Sequence, residues 1–170
     1  DVIQRDDFIQ RGDYTIENLF RYTPGIGVNQ QTSGTDPFDS NGGIEIRGVG
    51  GNRTQILVDG SRTLERITDG TRDVVEASNV KRVEVVRGPS SVLWGSDGLG
   101  GVVNFVTRDP VDLIDPERGW GTDGAITYGS LDDSSVETAT LAARFNKNAS
   151  GLISYTRRDT NERDRDKARI

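Results

Sequence analysis

Hydrophobic and polar residues follow two different spacings along the chain. In the first part, apolar residues fall in short runs at residues 44–47, 55–58, 80–87 and 102–107, and glycine or a turn pair bounds each run. Short apolar runs of this kind, rich in Val and Ile, predict β-strands. The uneven intervals between them leave room for helices.

One helix is predicted over residues 14–22. Asp13 stands where an N-cap belongs, and Pro24 with the glycine after it ends the pattern. The apolar stripe between these signals consists of Ile16, Leu19 and Phe20. A second short helix is predicted over residues 89–94, because proline is favoured at the first helical position. Helices interleaved with short strands predict an α+β domain over residues 1–110.

Strict alternation of apolar and polar residues replaces this pattern in residues 118–170. It is clearest in segments 119–129 and 135–146 and in a third run around residue 153. The residues on the apolar face are Ile126, Tyr128, Ala139, Leu141, Ala143, Phe145, Ile153 and Tyr155. Such segments fit either transmembrane barrel strands, with one face toward lipid and one toward a wet lumen, or a half-buried soluble meander. Periodicity alone leaves both readings open.

Composition and charge exclude several classes of function. The 21 basic and 27 acidic residues are interspersed, with a net charge of −6, so no basic stripe for nucleic acid is present. The chain has no cysteine and no histidine, and therefore lacks thiolate metal ligands and the commonest metal ligand and general base. It also has no apolar run of about eighteen residues, the minimum for a membrane-spanning helix.

Six short motifs follow one another in the first part of the chain. They are P-G-I at 24–26, I-E-I-R-G at 44–48, I-L-V-D-G at 56–60, V-E-V-V-R-G-P at 83–89, W-G-S at 94–96 and G-G-V-V-N at 100–104. In this order and spacing they resemble the plug domain of TonB-dependent outer-membrane receptors. The family more often has Tyr where Trp94 stands, a departure that keeps an aromatic residue.

This resemblance implies both an architecture and a location. The fold expected is an α+β plug with a small mixed β-sheet and short helices, followed by the first antiparallel strands of a transmembrane β-barrel. Residues 1–110 are then an N-terminally truncated plug, and residues 118–170 hold the first two or three barrel strands, too few to close a barrel. The expected location is the bacterial outer membrane, with the plug inside the barrel lumen.

The resemblance also implies a mechanism of gated uptake. In the family, ligand binds at outer loops and the TonB protein pulls on an N-terminal box, which is not recognised in this chain. The implied partners are the rest of the barrel, TonB and the transported ligand. The arginines Arg47 and Arg87, with Glu84, resemble those that lock the family's plug to its barrel wall. An ordinary solvated strand face is the alternative for these three residues.

Two polar loops are expected to face the ligand in the family arrangement, at residues 29–42 and 62–72. Their candidate contact residues are Gln30, Asp36, Phe38, Asp39, Arg62, Arg66, Asp69 and Arg72. No residue is predicted to be catalytic or to bind a metal. The carboxylate pair Asp132-Asp133 does not converge, because neighbours on a strand point to opposite faces.

The motifs look most similar to the haem and haemoglobin branch of the family, particularly R-G at 47–48 and G-G-V-V-N-F-V-T at 100–107. The missing histidine excludes a plug-derived histidine ligand to haem iron. Haem or another iron chelate is therefore expected only as a transported ligand, not as a cofactor. Ferric siderophores and cobalamin remain alternatives, as does the different class of a soluble α+β binding module.

Overall fold

A computed structural model of the chain describes residues 1–13, 15–28, 43–62, 75–89, 98–129 and 134–159. These residues belong to two compact units. The first unit holds the described residues of Asp1–Thr32 and Asp36–Thr107, and the second begins at Arg108.

The first unit is built on a five-stranded mixed sheet. Its elements are β1 Val2–Gln4, α1 Arg5–Gln10, α2 Ile16–Leu19, β2 Ile26–Val28, β3 Ile44–Ile46, β4 Thr54–Val58, β5 Ser61–Arg62, β6 Val80–Arg87 and β7 Gly101–Thr107. The strand order in the sheet is β1-β6-β7-β4-β5. Strands β4 and β7 run parallel and the other neighbours run antiparallel. Strands β2 and β3 form a separate antiparallel pair.

One face of the five-stranded sheet carries the hydrophobic core of the first unit. Val83 of β6 pairs with Phe105 of β7, and Val85 pairs with Val103, so these buried side chains share one face. The ring of Phe105 meets that of Phe20 edge-on, with centroids 6.1 Å apart. The other core residues are Ile3, Phe8, Ile16, Leu19, Ile44, Ile46, Ile56, Ala77 and Val80. Full burial of such a side chain contributes about 1.5–3 kcal/mol, so packing stabilises helices too short to form alone.

The four strands predicted in this unit agree with the structure to within one residue. Strand β6 has the predicted bounds, β4 and β7 begin one residue earlier, and β3 ends one residue earlier, at Ile46. The sequence pattern does not predict β1, β2, β5 or α1. The three strands have at most three residues each, so they carry little periodicity of their own and form because a neighbouring strand pairs with them.

The helix predicted over residues 14–22 is wrong in its extent and in its cap. Helix α2 spans only Ile16–Leu19, and its N-cap is Thr15, whose Oγ1 accepts a hydrogen bond from the Asn18 N–H at 3.4 Å. Asp13 is instead buried, and its Oδ2 lies 3.0 Å from Arg11 Nε. A nearby guanidinium therefore competes for the predicted cap. The second predicted helix, over residues 89–94, lies outside the described residues beyond its first position.

The second unit contains a three-stranded antiparallel meander. Its strands are β8 Trp120–Gly129, β9 Ser134–Asn146 and β10 Ala149–Asp159, with β9 in the middle. They coincide with the three alternating segments of the sequence, and the pairing extends over nearly their whole length. Before β8, a 3-10 turn at Pro110–Asp112 packs against β9 and β10.

Candidate functional site

Arg47 lies at the tip of a tight turn. Ile46 and Val49 exchange both backbone hydrogen bonds, at 2.9 and 3.0 Å. Between them, Arg47 and Gly48 have φ angles of 54° and 78°, and positive φ at both central positions is the geometry of a type I′ hairpin turn. The Arg47 N–H donates to the Gly25 carbonyl at 2.7 Å. Arg47 is therefore an exposed turn residue, not the strand residue that the sequence predicts.

Glu84 belongs to a chain of hydrogen bonds that crosses the five-stranded sheet. Its Oε1 accepts from Arg82 Nε at 2.7 Å, and its Oε2 accepts from Asn104 Nδ2 at 3.0 Å. The Asn104 Oδ1 in turn accepts from the Gly60 N–H at 3.0 Å. These donors favour the ionised carboxylate and lower the pKa of Glu84, with Asn104 as the largest cause and Arg82 as the next. Three of the six motifs thus meet in one polar network.

Arg87 ends strand β6 and forms an ion pair with the carboxylate of Asp1. The Asp1 nitrogen donates to the Val85 carbonyl at 2.8 Å, and the Val85 N–H donates back to the Asp1 carbonyl at 2.8 Å. The Nε of Arg87 is buried and has no hydrogen-bond partner in the described part of the chain. The three predicted lock residues thus occupy different positions in the fold: Arg47 at a turn, Glu84 within β6 and Arg87 at its end.

The carboxylate of Asp59 has a structural role that the sequence does not predict. Asp59 and Gly60 form the turn between β4 and β5, with φ angles of 50° and 74°. The Asp59 Oδ1 accepts from the Thr107 N–H at 2.8 Å, and its Oδ2 accepts from the Thr107 hydroxyl at 2.7 Å. The D-G pair signals the turn, but no sequence signal shows that its carboxylate fastens the end of β7.

Of the predicted ligand-facing residues, the structure describes Arg62. It lies in β5, opposite Leu57, and is exposed. The others lie outside the described residues and stay predictions: Gln30, Asp36, Phe38, Asp39, Arg66, Asp69 and Arg72. Within the described residues, no group of three or more acidic side chains is arranged to hold a metal ion. No helix there has the length and apolar character of a membrane span.

The three-stranded sheet turns its large apolar side chains outward. The exposed fraction is 82% for Ile126, 75% for Phe145, and 69% for both Ile153 and Tyr155. Trp120, Tyr128 and Leu141 are exposed on the same face. Cross-strand pairing of Leu141 with Ile153 makes this face continuous between β9 and β10. The second unit thus presents a broad apolar surface formed by alternate residues of three strands.

The opposite face of this sheet is mostly small or polar, with Val136 and Leu152 as its larger apolar residues, and it is the more buried one. Ala142 and Thr140 are buried, and the Thr140 Oγ1 lies 3.0 Å from the Ser154 Oγ. The side chain of Arg108 is only 5% exposed and donates to Asp123 Oδ2 at 2.7 Å. In a soluble antiparallel sheet the apolar face packs on a core and the polar face meets water. Here the two faces are reversed.

The first unit is a small α+β fold whose motif residues are joined in a polar network, and the strands after it turn apolar side chains outward. These two features together indicate a plug followed by strands of an outer-membrane receptor. The family model for the TonB-dependent Receptor Plug Domain matches residues 1–102, which is more than half of the chain. The chain belongs to this family. Its members are receptors for transport rather than enzymes, and the plug is a component of a receptor of the bacterial outer membrane.

Curated relatives show similarity beyond the part that the family model covers. The chain is 33% identical over 161 residues to lactoferrin-binding protein A of Neisseria meningitidis, an alignment that spans 86% of this chain and 16% of that protein. It is 39% identical over 115 residues to the iron-regulated outer membrane virulence protein of Vibrio cholerae, covering 63% of this chain and 17% of that protein. The chain therefore spans only a small part of the length of these relatives.

Solved structures share the fold. The hemophore receptor HasR of Serratia marcescens, in complex with its hemophore HasA and heme, has a TM-score of 0.73 at 20% identity and covers 92% of this chain and 23% of its own. The siderophore receptor PirA of Pseudomonas aeruginosa has a TM-score of 0.65 at 26% identity and covers 96% and 29%. Both overlaps extend well past residue 102, where the family model ends.

Proposed function

We propose that the chain is the plug and the first wall strands of a TonB-dependent transporter that gates energy-coupled uptake of an iron-bearing ligand. Haem or haem-protein iron is the favoured ligand. The observation that carries the wall assignment is the reversed burial of the three-stranded sheet. Exposed apolar patches of this extent are unusual on soluble monomers, and lipid is the partner that suits a sheet of alternating faces.

Iron as the transported element has support from the named relatives. Lactoferrin-binding protein A, transferrin-binding protein A and the iron-regulated Vibrio protein all carry iron sources or iron regulation in their names. The motif similarity of residues 47–48 and 100–107 supports haem among these sources. In that case this chain supplies no histidine ligand to the haem iron.

A second ligand class is iron held by a carrier protein. The observation in its favour is the 33% identity to lactoferrin-binding protein A, which extends over 86% of the chain. Ferric siderophores are the third class, since receptors for them share the fold. All three classes require the same gate, so they differ in the ligand contacts and not in the role of the plug.

Growth on defined iron sources tests the proposed function. The gene for the whole receptor is deleted in its iron-starved host, and haemin, haemoglobin, lactoferrin, transferrin or a ferric siderophore is supplied as the sole iron source. We expect the deletion to abolish growth on one class of source, and the intact receptor to restore it. Haemin and haemoglobin are the sources expected to be affected.

Other outcomes of this experiment reassign or reject the proposal. Loss of growth only on lactoferrin and transferrin assigns the carrier-protein class, and loss only on the siderophore assigns the third class. A defect in cobalamin use with normal growth on every iron source contradicts iron transport. Restored growth with the intact receptor in a host that lacks the TonB protein contradicts energy coupling.

A further inference from the structure

The segment of residues 108–119, here called the strap, is ordered by its own hydrogen bonds. Asp109 and Asp112 form a capping box around the 3-10 turn, with the Asp109 N–H donating to Asp112 Oδ2 at 2.8 Å. Farther along, Asp115 Oδ1 accepts from the Arg118 N–H at 3.1 Å. The Asp115 carbonyl accepts from the Gly119 N–H at 2.9 Å. The strap is therefore a folded element rather than a loose connection.

The strap packs closely against the inner face of the meander. A Cβ atom at Gly121 of β8 would overlap the carbonyl of Leu113, so only glycine permits this approach. Ile114 is 6% exposed, and Ala142 of β9 is fully buried. The 3-10 turn of the strap also contacts β10. The backbone of the strap at Leu113 thus meets β8 at Gly121, and the side chain of Ile114 beside it is buried.

Thr107 and Arg108, the residues on either side of the N-terminal boundary of the strap, form hydrogen bonds within different units. Thr107 is the last residue of the first unit, and both its N–H and its hydroxyl bond to Asp59 of that unit. Arg108 is the first residue of the second unit, and its buried guanidinium bonds to Asp123 of β8. A single peptide bond joins the two residues that carry these attachments.

We propose that the strap acts as an anchor of the closed receptor by docking on the polar face of the wall strands. Arg108, Asp123 and Gly121 are positioning residues of this anchor. When the strap is displaced, the receptor opens to passive entry of large solutes. This inference rests on the proposed function for its membrane setting, but the contact itself is tested separately.

Cysteine labelling in the full-length receptor measures whether the strap is docked. The chain has no cysteine, so Ile114→Cys, in a receptor whose other cysteines have been replaced, supplies a reporter that a docked strap shields from maleimide. We expect Gly121→Val to speed labelling of this reporter about tenfold or more, because local opening exposes a buried site. Gly124→Val, on the same strand, is the matched control. A Cβ there meets only the Thr138 carbonyl at 3.5 Å, and labelling should not change.

Charge reversal of the Arg108–Asp123 ion pair is a second perturbation. Rescue by the double reversal separates loss of this ion pair from general misfolding. Arg108→Asp and Asp123→Arg should each speed labelling of the Ile114→Cys reporter, and the two together should slow it again. Val111→Cys, whose side chain is 62% exposed, reports access of the reagent and should label at one rate in every background. Equal labelling of the Ile114→Cys reporter in all backgrounds overturns the docked strap.

Entry of vancomycin into cells tests whether docking is needed to keep the receptor closed. We expect sensitivity to rise with Gly121→Val and with each single charge reversal, and to return to normal with the double reversal and with Gly124→Val. Faster labelling without a change in vancomycin sensitivity overturns the anchor and reduces the strap to a connection. Growth on the iron source is scored in the same strains, so failure of the proposed function is seen independently.

Discussion

The hydrogen bonds of Glu84 explain why a charged residue lies between two buried valines in the middle of a motif. Its neighbours Val83 and Val85 point into the core, while its own carboxylate lies on the other face and receives two side-chain donors. Asn104 is held in place by Gly60, whose N–H fixes the orientation of the amide. Each of these motif residues therefore depends on another motif that is distant in sequence.

A pH-dependent stability follows from this network. The pKa of Glu84 is lowered in the folded chain, so its contribution to stability is fully present above the unfolded-state pKa of about 4.3 and is lost as the pH falls through the folded value. Asn104→Ala removes the largest cause of the lowering. We therefore expect the pKa of Glu84 to rise toward its unfolded-state value in this variant, so the stability that Glu84 loses on acidification is smaller and the loss is complete at a higher pH.

NMR of the Glu84 side-chain carboxyl carbon, recorded on the chain in detergent micelles, measures this pKa directly. Asn148→Ala, which removes an amide from the exposed turn after β9, is the control and should leave the titration of Glu84 unchanged. An identical Glu84 titration in the Asn104→Ala variant would show that the hydrogen bond does not act on the carboxylate.

The lock residues yield a prediction about permeability. Arg47 is presented on a rigid turn, and Arg87 retains a buried N–H without a partner among the described residues. We expect Arg47→Ala and Arg87→Ala in the full-length receptor to loosen the plug and to raise passive entry of large antibiotics. The measurement is the minimal inhibitory concentration of vancomycin, which should fall.

Two controls separate the lock from other roles of these arginines. Arg21→Ala removes an exposed charge from a turn of the same unit and should have no effect. Asp1→Asn removes the charge of the partner of Arg87 while leaving Arg87 in place. Normal resistance in both arginine variants would sink the lock assignment, and equal sensitivity of the Asp1 and Arg87 variants would locate the effect in their ion pair.

At the scale of the element, the close approach of β6 and β7 depends on one glycine. Gly101 has a φ of 146°, and a Cβ there would overlap the Val86 carbonyl and lie 2.8 Å from Ile46 Cδ1. The first strand residue of the G-G-V-V-N motif is thus required by both backbone conformation and space.

Gly101→Ala is expected to destabilise the plug by about 1–3 kcal/mol more than a substitution that strains the backbone alone. Gly88→Ala provides that comparison, since Gly88 also has a positive φ, of 95°, but nothing lies within 4 Å of its Cβ position. The midpoint of thermal unfolding of the receptor in detergent should fall further for Gly101→Ala. Equal midpoints for the two variants would show that strands β6 and β7 accommodate the added Cβ at residue 101 without a further loss of stability.

The sequence predicts an element well where the element carries its own periodic pattern. It predicts poorly the elements that form only because a distant segment pairs with them. Strand β6 has eight residues and carries its own pattern, whereas the three-residue β1 forms because β6 pairs with it. The Asp13 cap prediction fails because Arg11 lies beside that carboxylate. Likewise, the partner of Arg87 is Asp1, which is too distant along the chain for any sequence spacing to reveal it.

In the molecule as a whole, the two spacings of hydrophobic residues correspond to two directions of the apolar side chains. In the first unit apolar side chains turn inward and form one core. In the second unit they turn outward from a sheet whose other face is polar. A chain with 32% hydrophobic residues and 21 glycines can thus combine a plug with wall strands without any long apolar run.

The alternation of the second unit was visible in sequence, but the direction in which each face points was not. A period of two fixes which residues share a face and leaves open whether that face meets a core, water or lipid. The structure adds that the strap covers the polar face, which leaves the apolar face as the outer one. An outward apolar face is the arrangement that the proposed lipid-facing wall requires.

The environment of alternate residues in β9 tests most directly whether the three strands form a lipid-facing wall. Single spin labels at positions 138–145 of the full-length receptor in lipid vesicles are compared for relaxation by oxygen, which partitions into the bilayer, and by a water-soluble nickel complex. We predict that labels at 139, 141, 143 and 145 respond to oxygen and those at 138, 140, 142 and 144 do not. A strong nickel response at the odd positions, with no alternation in the oxygen response, would contradict a lipid-facing wall.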